Sequence, residues 1–203
     1  MIPPYLMLHM RMDGDIHDHL TTLYMLTVEF NLRRVLELGT RNGHSTIAFL
    51  YAVDQTDGVV TSIDIDSCPG AFANILTADF KTKRWTFIQQ DDLTVDWKDP
   101  VDHLFIDTVH DYDQTLKELK KYEPCVVNGG IITLHDLNLN GSYTGVKGAI
   151  DDYLKGREDL HYYEYLNCYG LAVIFKRSKI KENKSNTVEF ISPNELHIRN
   201  SFI

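Results

Sequence analysis

Three cysteines, Cys68, Cys125 and Cys168, are too few and too far apart for a disulfide framework, and they lack the CxxC spacing of a zinc site. They read as reduced thiols, which points to a cytoplasmic protein. Basic residues are also scarce: 20 Lys and Arg stand against 29 Asp and Glu, a formal charge of −9. Such a chain suits neither a phosphate backbone nor an anionic membrane, so neither is expected as a partner. No apolar run approaches the roughly 20 residues of a membrane span. Met1-Ile2-Pro3-Pro4-Tyr5 has no basic region followed by an apolar core, so no signal peptide is expected. Repeats at a fixed period are missing as well. What is present is an ordinary globular composition, 43% apolar and 24% charged in 203 residues, enough for one domain with a sizeable core.

Residues 1–15, with Pro3, Pro4 and Gly14, read as an irregular lead-in. Apolar positions from Ile16 to Phe30 fall on a helical stripe. His17 and His19, two apart, would not share a helical face and are expected to be solvated. From there strands and helices alternate. Val35–Leu38 is a short apolar run, followed by a glycine-bounded turn and a helix from Ser45 to about Val53. Val59–Asp66, Trp85–Asp92 and Val101–Asp107 read as further strands, with a helical stretch at Ala71–Phe80 and another at 112–123 that Pro124 stops. Gly129-Gly130 turns the chain into Ile131–Leu134; a helix at 146–157 and a closing strand pair, Tyr162–Leu166 and Leu171–Lys176, complete the pattern. A catalytic domain over 1–177 is expected, followed by a polar tail over 178–203 for which docking and disorder are equal readings; if docked, Thr187–Ile191 would add a strand or a subunit contact, which leaves room for a homo-oligomer.

Alternating strands and helices imply a Rossmann-like, doubly wound, mostly parallel α/β sheet, and such sheets bind ligands beyond the carboxyl ends of their strands. Glu37, Asp64, Asp91, Asp107 and Asp136 all fall at those ends. Five carboxylates on one rim are hard to attribute to solubility alone. The turn Gly39-Thr40-Arg41-Asn42-Gly43 would aim backbone N–H groups at a ligand, but it lacks the middle glycine of G-x-G-x-x-G through which a pyrophosphate approaches.

The pattern E-x-G-x-x-x-G over Glu37–Gly43 resembles motif I of class I S-adenosylmethionine-dependent methyltransferases. Val101–Asp107 followed by Thr108-Val109-His110-Asp111-Tyr112, then Pro124, Gly129-Gly130, Ile131–Asp136 and Gly145–Ile150, is similar to their small O-methyltransferase subgroup, which includes sugar- and antibiotic-tailoring enzymes. The resemblance spans roughly 16–176 and implies seven strands, the last antiparallel. It implies that Glu37, Gly39 and Ser45 line the methionine side of S-adenosylmethionine, with Thr40 and Gly43 in the same turn. Asp64 would hold the ribose, and Asp91 with Asp92 would flank the adenine. Ser45 as a plain helix N-terminal residue stays open, and one of Asp91 and Asp92 is expected to be merely solvated.

For a hydroxyl acceptor the protein must position the nucleophile and remove its proton. His110, just past Asp107, is the first choice for that base because an unperturbed imidazole titrates near neutrality; capping the next helix is its other reading. Many enzymes of the subgroup hold a divalent cation on a fourth-strand Asp and an acidic pair after the fifth strand. Here Asp107 and Asp136 are kept, but His135 stands first in the pair, which favours Mn²⁺, Fe²⁺ or Zn²⁺ over Mg²⁺, or no metal. Asn138 and Asn140 are candidate contacts to a small-molecule or sugar acceptor. A metal-independent N-methyltransferase, a silent cofactor-binding scaffold and a nicotinamide dehydrogenase are the competing readings, the last disfavoured by the glycine spacing.

Overall fold

In the computed structural model, residue 7 and residues 14–77, 82–139 and 145–177 are described. A turn of 3₁₀ helix at His17–His19 leads into α1 (Leu20–Glu29). Then come β1 (Arg34–Leu38), α2 (His44–Thr56), β2 (Val59–Asp64), α3 (Pro69–Thr77), β3 (Trp85–Gln89) and β4 (Val101–Ile106). The chain continues with α4 (Tyr112–Tyr122), β5 (Val126–His135), α5 (Val146–Leu154), β6 (Leu160–Tyr165) and β7 (Leu171–Lys176). The seven strands form one sheet in the order β3-β2-β1-β4-β5-β7-β6. β1 to β5 run parallel, and β7 is antiparallel to both its neighbours.

Period-two alternation along the strands divides the core between the two faces. Val35 and Phe105 pack with Leu20, Leu23 and Phe49 of α1 and α2. Leu36, Leu38, Leu104 and Ile106 pack with Leu119, Tyr122 and Ile150 of α4 and α5. The strand order reverses beside β1, where β2 lies on one side and β4 on the other, and the crevice at that point is the usual ligand position in open α/β sheets.

Three expectations change. β5 begins at Val126, before Gly129-Gly130: register passes from Val101↔Val126 to His103↔Ile131, so the glycines lie in a bulge inside the strand. On α4 the inward set includes Glu118 with Leu119 and Tyr122, whereas Leu116 is only half-buried. His19 is buried, contrary to the solvated reading: its Nε2 donates to Asn167 O at 2.9 Å, and burial, then the charge of His135, lowers its pKa to about 4. Asn140, residues 1–6, 8–13 and 78–81, and the tail 178–203 lie outside the described residues. Among those described, no helix is long and apolar enough to cross a membrane.

Candidate active site

The glycine turn is shaped by close approach. Gly39, at φ 85°, bonds through its N–H to Ile63 O at 2.9 Å, and a Cβ there would lie 1.9 Å from Asp107 O. Gly43, at φ 75°, caps α2, and a Cβ on it would meet Ala71 Cβ of α3 at 2.9 Å. Each glycine thus lets the turn touch a neighbouring element. The backbone donors expected to face a ligand are in part already used: Asp64 Oδ2 accepts from Thr40 N at 2.7 Å and Arg41 N at 3.1 Å, and Oδ1 accepts from Asp66 N at 2.9 Å. Burial works against the Asp64 charge, but these three donors prevail and hold its pKa below the ordinary carboxylate value.

A cavity of about 490 Å³ opens over this turn. Gly39, Thr40, Ser45, Asp64, Asp91, Asp92, Asp107, His110 and Asp136 all line it; Glu37, Gly43 and His135 do not. Glu37 shares the strand face of Val35 and points toward the start of α2. There Oε1 accepts from Ser45 Oγ at 2.6 Å, and Oε2 accepts from Thr46 Oγ1 at 2.6 Å and from Ser62 Oγ at 2.5 Å. Fully buried, its carboxyl is pushed up to about 7 by desolvation in spite of the three hydroxyls. What Glu37 offers the cavity is therefore an oriented Ser45, whose lone pairs stay free to accept. Asn138 also faces elsewhere, its amide donating to Leu166 O at 3.1 Å, and Tyr112 donates to Asp152 of α5 at 2.7 Å.

The far end of the cavity is a charge cluster. His110 Nε2 lies 2.9 Å from Asp136 Oδ2 and 3.2 Å from Asp107 Oδ1. Both His110 (φ 62°) and Asp136 (φ 57°) are held in the left-handed region, a strain that surrounding structure must over-determine. Those two carboxylates raise the His110 pKa to about 9. The premise that His110 titrates near neutrality is therefore corrected: at neutral pH it rests as an imidazolium donating to the two acids. His135 stands behind the acids, its Nδ1 3.3 Å from Asp136 Oδ2 and 3.5 Å from Asp107 Oδ1, with Nε2–H donating to Cys168 O at 3.0 Å. Burial opposes its charge, yet the two acids carry it up to about 10. Two carboxylates and two imidazoliums thus balance. Among the described residues, the ligand atoms of Asp107, His110 and Asp136 lie within 4.8 Å of one another, so His110 takes the cavity-facing place expected for His135.

Sequence reasoning missed two groups. Ile65 and Val109, 68% and 66% exposed, line the same cavity and offer flat apolar contact; their signal was an aliphatic one or two residues beyond a strand-end acid. The other is Glu118, fully buried on α4, whose Oε1 accepts from Thr108 Oγ1 at 2.7 Å and Gln114 Nε2 at 2.8 Å. Its carboxyl bears on Asp92, and burial followed by that neighbour pushes it up to about 8. Asp92 is raised too, mainly by burial, so the pair keeps a proton at neutral pH. The folded chain retains this proton while the unfolded chain releases it near the ordinary glutamate value. Stability from this pair should fall as pH rises from about 4.5 to about 8. Glu118→Gln, which carries an amide where the proton was, should flatten that decline. In thermal melts the variant is expected to gain on wild type at about pH 8.5 and to match it at about pH 4.5; equal pH profiles would remove the shared proton.

A seven-stranded sheet in this order, with β7 reversed and a strand–glycine turn–helix unit under the cavity, is the Rossmann-like architecture of class I methyltransferases. Residues 36–137 match the family described as "Methyltransferase domain", and the chain belongs to that family. A comparison with curated proteins finds no match. Similar solved structures include a putative O-methyltransferase from Klebsiella pneumoniae, at TM-score 0.71 and 17% identity over 88% of this chain and 92% of that one. The S-adenosylhomocysteine-bound methyltransferase PaMTH1 of Podospora anserina aligns at TM-score 0.70 and 15% identity, over 87% and 89% of the two chains. The O-methyltransferase TomG of Streptomyces achromogenes, in complex with S-adenosylmethionine, aligns at 0.68 and 16%, over 88% and 92%. At these identities the likeness is one of fold.

Proposed function

We propose that the chain is an S-adenosylmethionine-dependent methyltransferase acting on a hydroxyl of a small molecule or sugar. The observation that carries the cofactor reading is Asp64. Its carboxylate occupies the N–H groups of Thr40 and Arg41 that a pyrophosphate would need, and the cavity around it is acidic. A dinucleotide is disfavoured there, while a ligand bearing an ammonium, a sulfonium and a ribose diol fits. Family membership supports the reading, as does the presence of S-adenosyl ligands in PaMTH1 and TomG.

When bound, S-adenosylmethionine supplies a methyl group activated by a sulfonium leaving group. Ser45, oriented by Glu37, would accept from its ammonium, Asp64 from its ribose hydroxyls, and Asp91 or Asp92 from its adenine amino group, with Ile65 and Val109 offering apolar contact. The acceptor hydroxyl approaches the Asp107–His110–Asp136 cluster. Its proton passes to His110 Nε2 after that side chain, about a third exposed, has released its ring proton to solvent, and the two carboxylates stabilise the imidazolium that forms. Oxygen as the acceptor atom rests on this proton-accepting cluster and on the fold relatives named as O-methyltransferases.

The same trio fits a divalent cation. Two carboxylates and one imidazole lie within ligand reach, and Asp136 Oδ1 is buried with no partner among the described residues. This donor set favours Mn²⁺, Fe²⁺ or Zn²⁺. A cation held there would lower the pKa of the acceptor hydroxyl and orient it. Thermal-shift titration tests the cofactor reading: S-adenosylmethionine should stabilise the protein and NAD should not, and stabilisation by NAD alone would overturn it.

A further inference from the structure

Away from the cavity cluster, the N-terminal turn meets the turn between β6 and β7. Among the described residues, His17, Asp18 and Cys168 form a second group whose potential ligand atoms all lie within 4.8 Å of one another. Cys168 Sγ is 3.8 Å from His17 Nδ1, while Asp18 Oδ1 lies 3.2 Å from the other ring nitrogen, Nε2; an imidazole ligates through one nitrogen, so the Asp18 carboxylate must swing to join Cys168 at Nδ1. Tetrahedral zinc, with bonds of about 2.3 Å to sulfur and 2.0–2.1 Å to nitrogen, separates those two ligands by about 3.6 Å. The observed sulfur–nitrogen spacing is close to that. Asp15 O, 3.0 Å from Cys168 Sγ, places a fourth oxygen at the edge of the group. The side-chain amide of Asn167 donates to Asp18 Oδ2 at 3.1 Å, which keeps the carboxylate beside the residue before Cys168. Cys168 is a free thiol and half-exposed, as His17 is, so an ion can reach both.

We propose that His17, Asp18 and Cys168 form a second divalent-cation site, distinct from the catalytic cluster and selective for a zinc-class ion. One thiolate, one imidazole and one carboxylate suit Zn²⁺ and its borderline neighbours and disfavour Mg²⁺ and Ca²⁺, which take oxygen ligands. Binding at Nδ1 displaces the thiol proton of Cys168 and shifts the His17 ring proton from Nδ1, where it faces Gly14 O, to Nε2. The site joins residues 151 positions apart in sequence. Gly14, Asp15 and Ile16, just before His17, form part of the cavity wall, and Asp15 is paired there with Arg41. A bound ion would fasten that wall to the β6–β7 turn, so the role is structural and lies outside methyl transfer.

Co²⁺ as a spectroscopic stand-in separates this site from the catalytic one, since only a thiolate ligand yields a near-ultraviolet sulfur-to-cobalt charge-transfer band. Adding Co²⁺ to the reduced, full-length protein should produce that band, and Zn²⁺ should bleach it. Cys168→Ser should abolish the band, whereas Cys125→Ser and Asp136→Asn should leave it. His17→Ala, with a circular-dichroism spectrum and melting point that show it folded, should weaken Co²⁺ binding at least about tenfold. No band in wild type, or a band surviving in Cys168→Ser, overturns the proposal, as does unchanged affinity in His17→Ala.

Discussion

Gly39→Ala is expected to destabilise the protein by about 3–5 kcal/mol and to abolish cofactor binding at physiological temperature. The new methyl group would sit 1.9 Å from Asp107 O, a backbone atom. That atom cannot retreat freely, because the N–H of the same residue is bonded to Leu38 O at 2.9 Å. The conformation at φ 85° adds the usual left-handed penalty. Gly129→Ala supplies the control. Its φ is 86°, but a Cβ there meets nothing within 4 Å, so only the conformational cost of about 1 kcal/mol applies. In thermal melts the Gly39 variant should lose on the order of 10 °C and the Gly129 variant only a few. Similar losses in the two would show that the approach of β1 to β4 is not what demands glycine.

Asp107→Asn is expected to lower turnover by about 10²–10⁴-fold while changing cofactor affinity far less. The backbone at Asp107 stays anchored to β1, so the variant should fold. What is lost is one of the two negative charges that hold His110 and His135 as imidazoliums, together with an oxygen facing the acceptor end of the cavity. His110 then has a weaker partner for the proton it takes, and a cation would lose a ligand. Transfer of labelled methyl to an acceptor found in a panel of sugars and small hydroxyl compounds measures the effect. Unchanged turnover would remove Asp107 from the chemistry.

Much of this was legible before any coordinates. Strand ends were readable because apolar runs stop at acids, and parallel strands put their carboxyl ends on one side, so Glu37, Asp64, Asp91, Asp107 and Asp136 were placed on one rim together; the strand order was not readable. Glu37 is the instructive intermediate: its position in the strand was clear, but period two puts it with Val35, facing α2 and three hydroxyls instead of the cavity. His19 was misread because its partner, Asn167, lies 148 residues away, and no local pattern reports such a contact. Glu118 was hidden similarly, since an amphipathic helix normally turns its acids outward, and its burial is tolerated through the Thr108 hydroxyl, the Gln114 amide and a proton held on the carboxyl. The exchange of His110 for His135 in the cavity depends on left-handed backbone at His110 and Asp136, which His and Asp adopt more readily than most residues but which no local pattern here marks.

Calorimetric titration with S-adenosylhomocysteine and with NAD, in wild type and Asp64→Ala, tests the central claim most directly. S-adenosylhomocysteine should bind one per chain with a favourable signal that Asp64→Ala weakens, and NAD should give none. Binding of NAD with no response to S-adenosylhomocysteine would contradict the account.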